Sequence, residues 1–183
     1  MRADQDAKFE GVRFSLVNSI TDSRGSFVKF NPGNDLHETL DSVALSFNPT
    51  IATVRGLHFQ VEPYAEEKLI TCVQGSVFDV IVDLRPNSQT FGEWTSFELS
   101  SNNMVQVYLP KGFAHGFQTL LPETIIHYAL SASYSPESSF SINPFGELGI
   151  DWPLKTQLVS DRDSEGVPFK IGAQKYAESL KRD

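Results

Sequence analysis

Between Val43 and Tyr134 the chain alternates apolar and polar residues in short runs separated by turn formers, the period-two signature of strands. The runs SVALSF, TVRGLHF, KLITCV, SVFDVIVDL, WTSFEL, MVQVYL, HGFQTL and TIIHYAL predict an antiparallel sandwich or barrel. Within SVFDVIVDL, Phe78, Val80, Val82 and Leu84 share one face, and Asp79 and Asp83 share the other. KLITCV-QG-SVFDVIVDL reads as a hairpin, with Gly75 supplying the positive φ of a tight turn. Upstream, FEGVRFSLVNSITD reads as an edge strand able to pair with a partner chain. The segment SPESSFSINPFGELGIDWPLKTQ is rich in Pro, Gly and Ser and predicts ordered loop covering one end of the barrel. AQKYAESLKRD then predicts a peripheral helix with Ala173, Tyr176, Ala177 and Leu180 on one side.

Composition narrows this all-β picture. A chain of 183 residues suits one well-cored domain, here residues 1–183. With 40% hydrophobic and 21% charged residues and no long apolar run, it reads as soluble and globular, with no membrane partner. The start, MRADQDAKFEGVRF, lacks the apolar stretch of a signal peptide, so the cytoplasm is the expected compartment. A net charge of −8 excludes a broad nucleic-acid surface, although a few arginines in a cleft can still hold a small phosphorylated ligand. The single cysteine, Cys72, sits in an apolar run and reads as a small core residue. Trp94 and Trp152 read as core rather than ligand contacts.

The clearest local geometry for chemistry is LPKGFAHGF, in which Pro110 ends a strand, Gly112 permits a turn and His115 enters the next strand. Its Pro-x-Gly-x-x-His spacing resembles the second motif of the cupin superfamily, small β-barrels of jelly-roll type. The first cupin motif places metal ligands at His-x-His, whereas this chain has His58 followed by Gln60. A metal would then need Gln60 or a distant acid, which suits transition metals less well, so no metal is expected.

A more specific resemblance spans Phe14 to Asp163. DSRGSF, RGLHFQ, EEKLITCVQGSVFDVIVDLR, FGEW, YLPKGFAHGF, LGIDWP and VSDRD, in this order, resemble the dTDP-4-dehydrorhamnose 3,5-epimerase family. The resemblance implies a metal-free, cofactor-independent cupin acting on a 4-keto-6-deoxy sugar of a nucleoside diphosphate. It implies His58 as general base, oriented by Asp163, with Lys68 stabilising the enolate and Tyr128 as the acid on the far side of the sugar. It also implies that Arg24, Asn48, Arg55, His115, Tyr134 and Arg162 hold the diphosphate, sugar or base, and that the protein is a homodimer exchanging its N-terminal segment. The residue types suit these roles. A 4-keto group acidifies the neighbouring C–H bonds, so inversion needs a base, an oxyanion stabiliser and an opposed acid.

Lys29, Ser46, Ser139 and Arg162 depart from the family's usual glutamate, glutamine, glutamate and lysine, which leaves the nucleotide base and sugar configuration open. Three rival readings stand beside a double epimerase: inversion at a single carbon, a 3,4-ketoisomerase, and a sugar-binding cupin without turnover. Taken singly, each site residue also has a plainer explanation. A lone strand histidine is usually just hydrogen-bonded, Lys68 beside Glu66 and Glu67 can be surface, and Asp163 lies in the charged run SDRDSE of a solvated loop.

Overall fold

The structure, a computed structural model, describes residues 8–30 and 36–181. The first seven residues of the acidic start and the last two of the C-terminal helix motif lie outside that range. Among the described residues are twelve strands: β1 Arg13–Leu16, β2 Ser19–Asp22, β3 Gly25–Val28, β4 Ser42–Asn48, β5 Val54–Gln60, β6 Lys68–Gln74, β7 Ser76–Asp83, β8 Trp94–Ser100, β9 Val105–Leu109, β10 Phe113–Thr119, β11 Thr124–Leu130 and β12 Ser139–Ser141. Two helices follow among the described residues, α1 Asp161–Ser164 and α2 Phe169–Ser179. Ten of the strands form two facing five-stranded sheets, ordered β1-β9-β6-β11-β4 and β12-β5-β10-β7-β8, while β2 and β3 pair only with each other. This is the all-β architecture expected of the strand runs.

The core lies in two layers. Between the sheets, Ile70, Cys72, Val77, Ile81, Val107, Phe117 and Ile126 pack together. Behind the second sheet, Val80 and Val82 of β7 and Leu84 just after it pack with Leu57, Phe59, Ile142 and Tyr176. β7 is therefore buried on both faces, and Asp79 and Asp83 on its inner side have no exposed surface. Trp94 and Trp152 flank this second layer, each with its indole N–H given to a backbone carbonyl. Cys72 is a free, buried thiol, as its sequence setting suggests, and burial pushes its pKa up to about 11.

Three expectations are corrected. β6 and β7 do not form a hairpin, because β6 pairs with β9 and β11 while β7 pairs with β8 and β10. Gly75 instead carries the chain from one sheet to the other. It has φ +78°, and an added Cβ would lie 2.3 Å from Thr124 Oγ1. The Pro- and Gly-rich segment covers the outer face of the second sheet rather than a barrel end, through Ile142, Leu148, Ile150 and Trp152. The last helix begins at Phe169, earlier than expected, behind Pro168, and it buries Gly172, Ala173, Tyr176 and Ser179 while Leu180 faces outward. The expected edge segment does lie at an edge, β1 closing the first sheet beside β9.

Candidate active site

The strand register places the polar side chains on opposing walls. Lys68 and Tyr128 share the inner face of the first sheet, where β6 and β11 lie side by side. His58 and His115 are directly paired across β5 and β10 on the facing sheet. A cavity of about 250 Å³ opens between the walls, lined by these four residues together with Arg55, Glu66, Tyr134, Ser139 and Arg162. Residues from seven separated stretches of sequence thus meet at one site.

Two glycines allow the histidine wall to form. Gly56 has φ +105°, and an added Cβ would stand 2.6 Å from the His115 carbonyl oxygen, while one on Gly116 would stand 2.6 Å from the Arg55 oxygen. β5 and β10 thereby approach more closely than side chains permit, and the register between His115 and Phe117 is irregular there. The backbone N–H of Gly56, freed for another partner, donates to Asp163 Oδ2 at 3.1 Å.

Asp163 is not in a solvated loop. It belongs to the short helix α1, capped by Ser160, and is 4% exposed. Its Oδ1 lies 2.6 Å from His58 Nε2 and accepts the Ser141 hydroxyl at 2.9 Å. Burial by itself would raise its pKa, but the hydrogen bond and charge of His58, the Gly56 N–H and the Ser141 hydroxyl outweigh burial and bring it down to about 2. Asp163 is therefore a carboxylate throughout the physiological range. With Nε2 held, Nδ1 is the nitrogen that His58 has left for a ligand.

On the other wall Lys68 is also not a surface residue. It is 7% exposed and lies 3.3 Å from the Glu66 carboxylate. Burial and the charge of Asp79 push the Tyr128 hydroxyl pKa far above the usual tyrosine range, so it stays protonated at neutral pH. The His115 ring stands edge-on to Tyr128, with centroids 6.0 Å apart, and its Nε2 lies 2.8 Å from Asp79 Oδ2.

The remaining residues divide. Arg55 reaches the cavity, held by its Nε donating to Asn48 Oδ1 at 2.7 Å. Asn48 is buried behind it and gives its amide to the Ser46 and Thr124 carbonyls. Arg162 and Tyr134 stand at the exposed mouth, where Arg162 donates to Ser139 Oγ at 2.8 Å and to the Tyr134 hydroxyl at 3.3 Å. Arg24 is not with them. It lies at the turn of the β2–β3 hairpin, bonded to Asp22 with its side chain 88% exposed.

Gln60 is occupied as a loop clamp, its amide donating to the Tyr64 and Ser133 carbonyls and its oxygen accepting the Ser135 N–H. Among the described residues no three His, Cys, Asp or Glu side chains converge as a metal site needs. Sequence reasoning missed Asp79 and Ser141. Asp79 carried a signal, because it shares its strand face with Val77 and Ile81, and an acid between two apolar neighbours is buried and in need of a partner.

The chain is similar to known proteins in both sequence and fold. The family model described as dTDP-4-dehydrorhamnose 3,5-epimerase matches residues 6–170. The chain is 37% identical over 180 residues to the dTDP-4-dehydrorhamnose 3,5-epimerase of Methanothermobacter thermautotrophicus, covering 90% of this chain and 96% of that one. It is 47% identical over 121 residues to the dTDP-4-dehydrorhamnose 3,5-epimerase of Sinorhizobium fredii, covering 65% of this chain and 62% of the relative, so this match spans less than two thirds of that relative's length. A crystal structure of dTDP-6-deoxy-D-glucose-3,5-epimerase from Legionella pneumophila, in complex with dTDP-4-keto-L-rhamnose, superposes with a TM-score of 0.83 at 32% identity, covering 90% of each chain.

Proposed function

The chain belongs to the dTDP-4-dehydrorhamnose 3,5-epimerase family, and from that premise we propose that it inverts C3 and C5 of a nucleoside-diphosphate 4-keto-6-deoxyhexose without a cofactor. Its barrel is the cupin-type fold of that family of isomerases. The observation that carries the reading is the opposition of His58 and Tyr128 across one cavity, from facing sheets. Nδ1 of His58 takes the proton from the carbon beside the ketone, and the Asp163 carboxylate stabilises the imidazolium that results. The electron pair moves to the C4 oxygen, where the Lys68 ammonium offsets the enolate charge. Tyr128 then protonates the same carbon from the other face. Because burial holds its proton tightly, it yields that proton only to a base as strong as the enolate carbon. Arg55, positioned by Asn48, and Arg162 suit the diphosphate, and the exposed Tyr134 ring suits the nucleoside, with His115 beside the sugar.

The test is solvent exchange. In D2O the product of the parent protein is expected to carry deuterium at both C3 and C5 by NMR. Deuterium at neither carbon, with turnover tried on dTDP-, UDP-, CDP- and GDP-linked substrates, would sink the reading. A product with the ketone moved to C3 would assign the ketoisomerase instead.

The chain is proposed as a single domain that acts as a homodimer. β4 is an edge strand whose Val43, Leu45 and Phe47 stand more than half exposed on one face, and the β2–β3 hairpin exposes Ile20 and Phe27. A second copy would cover both, and the hairpin would carry Arg24 to the partner's cavity. Mixing inactive Arg24→Ala and His58→Ala chains tests this, since exchange restores activity to about one quarter of the sites. No recovery from a re-equilibrated mixture would refute the exchange. The buried free thiol Cys72 fits a reducing compartment, and the cytoplasm is the proposed location.

A further inference from the structure

The steps above leave one buried acid without a role. Asp79, on the inner side of β7, has no exposed surface and places Oδ2 2.8 Å from His115 Nε2. Its Oδ1 is buried with no hydrogen-bond partner among the described residues. A half-satisfied buried carboxylate is costly, and a fold keeps such a cost where the group acts on a neighbour. The neighbours here are site residues. His115, 4% exposed, pairs in register with His58 and stands edge-on to Tyr128, and the charge of Lys68 bears on Asp79 itself.

The two nitrogens of an imidazole are linked, because the hydrogen bond made by one decides what the other offers. If Asp79 accepts a proton-bearing Nε2, the cavity is left with Nδ1. If Asp79 is instead a carboxylic acid donating to Nε2, the tautomer is reversed and Nδ1 carries the proton. Burial favours the acid form of Asp79 while His115 favours the carboxylate, so both arrangements are physically open to the pair. The surroundings discriminate. The positive charge of Lys68 adds to that of the His115 contact in favouring the Asp79 carboxylate, and so the arrangement in which Nε2 carries the proton.

We propose that Asp79 is a positioning residue for the reaction, its carboxylate accepting Nε2–H of His115 and so fixing that ring between His58 and Tyr128 with Nδ1 turned to the sugar. The proposal rests on the epimerase reading of the site, but its test does not depend on activity alone. The full chain is labelled with 15N-histidine, and long-range 1H–15N spectra are recorded near neutral pH, with His115 assigned by the signals lost in His115→Gln. His115 is expected to carry its proton on Nε2. A spectrum with Nε2 unprotonated overturns the proposal.

Kinetics supply the second arm. Asp79→Asn keeps an acceptor but removes the charge, and is expected to lower kcat about 10- to 100-fold with KM within about threefold, while Asp79→Ala falls further. Parent-like kcat in Asp79→Asn, on a substrate that the parent turns over, also overturns it. A parent that turns over none of the nucleotide sugars would sink the epimerase reading, and the spectra would still decide how Asp79 holds His115.

Discussion

Asp163 and Asp79 invite direct comparison, since each is buried, each touches a histidine of the same wall, and those histidines are cross-strand neighbours. Their ionisation nevertheless moves in opposite directions, down to about 2 for Asp163 and upward for Asp79. Depth is part of the reason, since burial is the largest influence on Asp79, which has no exposed surface. The number of donors is the other part. Among the described residues Asp163 collects His58, Ser141 and the Gly56 N–H, whereas Asp79 has His115 alone and one oxygen unpaired. Burial makes a carboxylate dependent on its hydrogen bonds, and their number then sets how readily it holds its charge.

The largest effect expected from breaking the Asp163 side is at the base itself. His58→Ala should lower kcat about 10³- to 10⁴-fold while the nucleotide sugar still binds, as measured by turnover and calorimetry. Parent-like product formation would remove His58 from the role of base. Asp163→Asn keeps the shape and removes the charge, and should cost about 10²- to 10⁴-fold in kcat.

The same substitution has a stability signature with a definite sign. The folded pKa of Asp163 is depressed from 3.8 to about 2, so its contribution of about 2 kcal/mol is complete above pH 4 and is lost as pH falls towards 2. Urea unfolding of the parent should show that slope, and Asp163→Asn should lack it. For Asp79 the folded pKa is raised, so ionisation opposes folding and stability falls as pH rises above the unfolded value. Asp79→Asn should accordingly match or exceed the parent in Tm at pH 7 despite its lower activity. A loss of stability as large as that of Asp163→Asn would erase the distinction between the two acids.

A third change tests the backbone that joins the two corners. Gly56→Ala places a Cβ against the His115 carbonyl at a positive φ, and should destabilise the chain by about 2 kcal/mol or more in denaturant unfolding. Because Gly56 also donates to Asp163, activity should fall beyond what the folded fraction explains.

Much of this was legible in the sequence, and the parts that were not have physical reasons. Every one of the eight strand runs coincides with a strand to within two residues, because period-two patterning survives wherever a strand faces a core. The Gln74-Gly75 turn was misread because a glycine at positive φ serves a hairpin and a change of sheet equally well, and only the long-range partners of β6 and β7 decide. Asp163 stands out only through the order of motifs. It is 105 residues from His58, and nothing local in SDRDSE distinguishes it from a solvated acid. Asp79 was hidden by alternating with Asp83, whose carboxylate serves a different end by tying Arg85, Ser88 and Thr90 together at the end of β7.

The smallest predicted effect sharpens the comparison from outside the walls. Arg162 is exposed at the mouth, and its hydrogen bonds go to Ser139 and Tyr134 rather than to a carboxylate. Its charge is therefore free to meet a phosphate but is screened by solvent, unlike the charges of Lys68 and Asp163. A group of this kind binds ground state and transition state alike, so Arg162→Ala should raise KM about three- to tenfold and leave kcat within about twofold. The difference should shrink when salt is raised to about 0.5 M, because screening already weakens the parent's contact. A kcat loss approaching that of Asp79→Asn would mean that Arg162 reaches the reacting carbons, and that the line between a charged mouth and an acid–base interior is drawn in the wrong place.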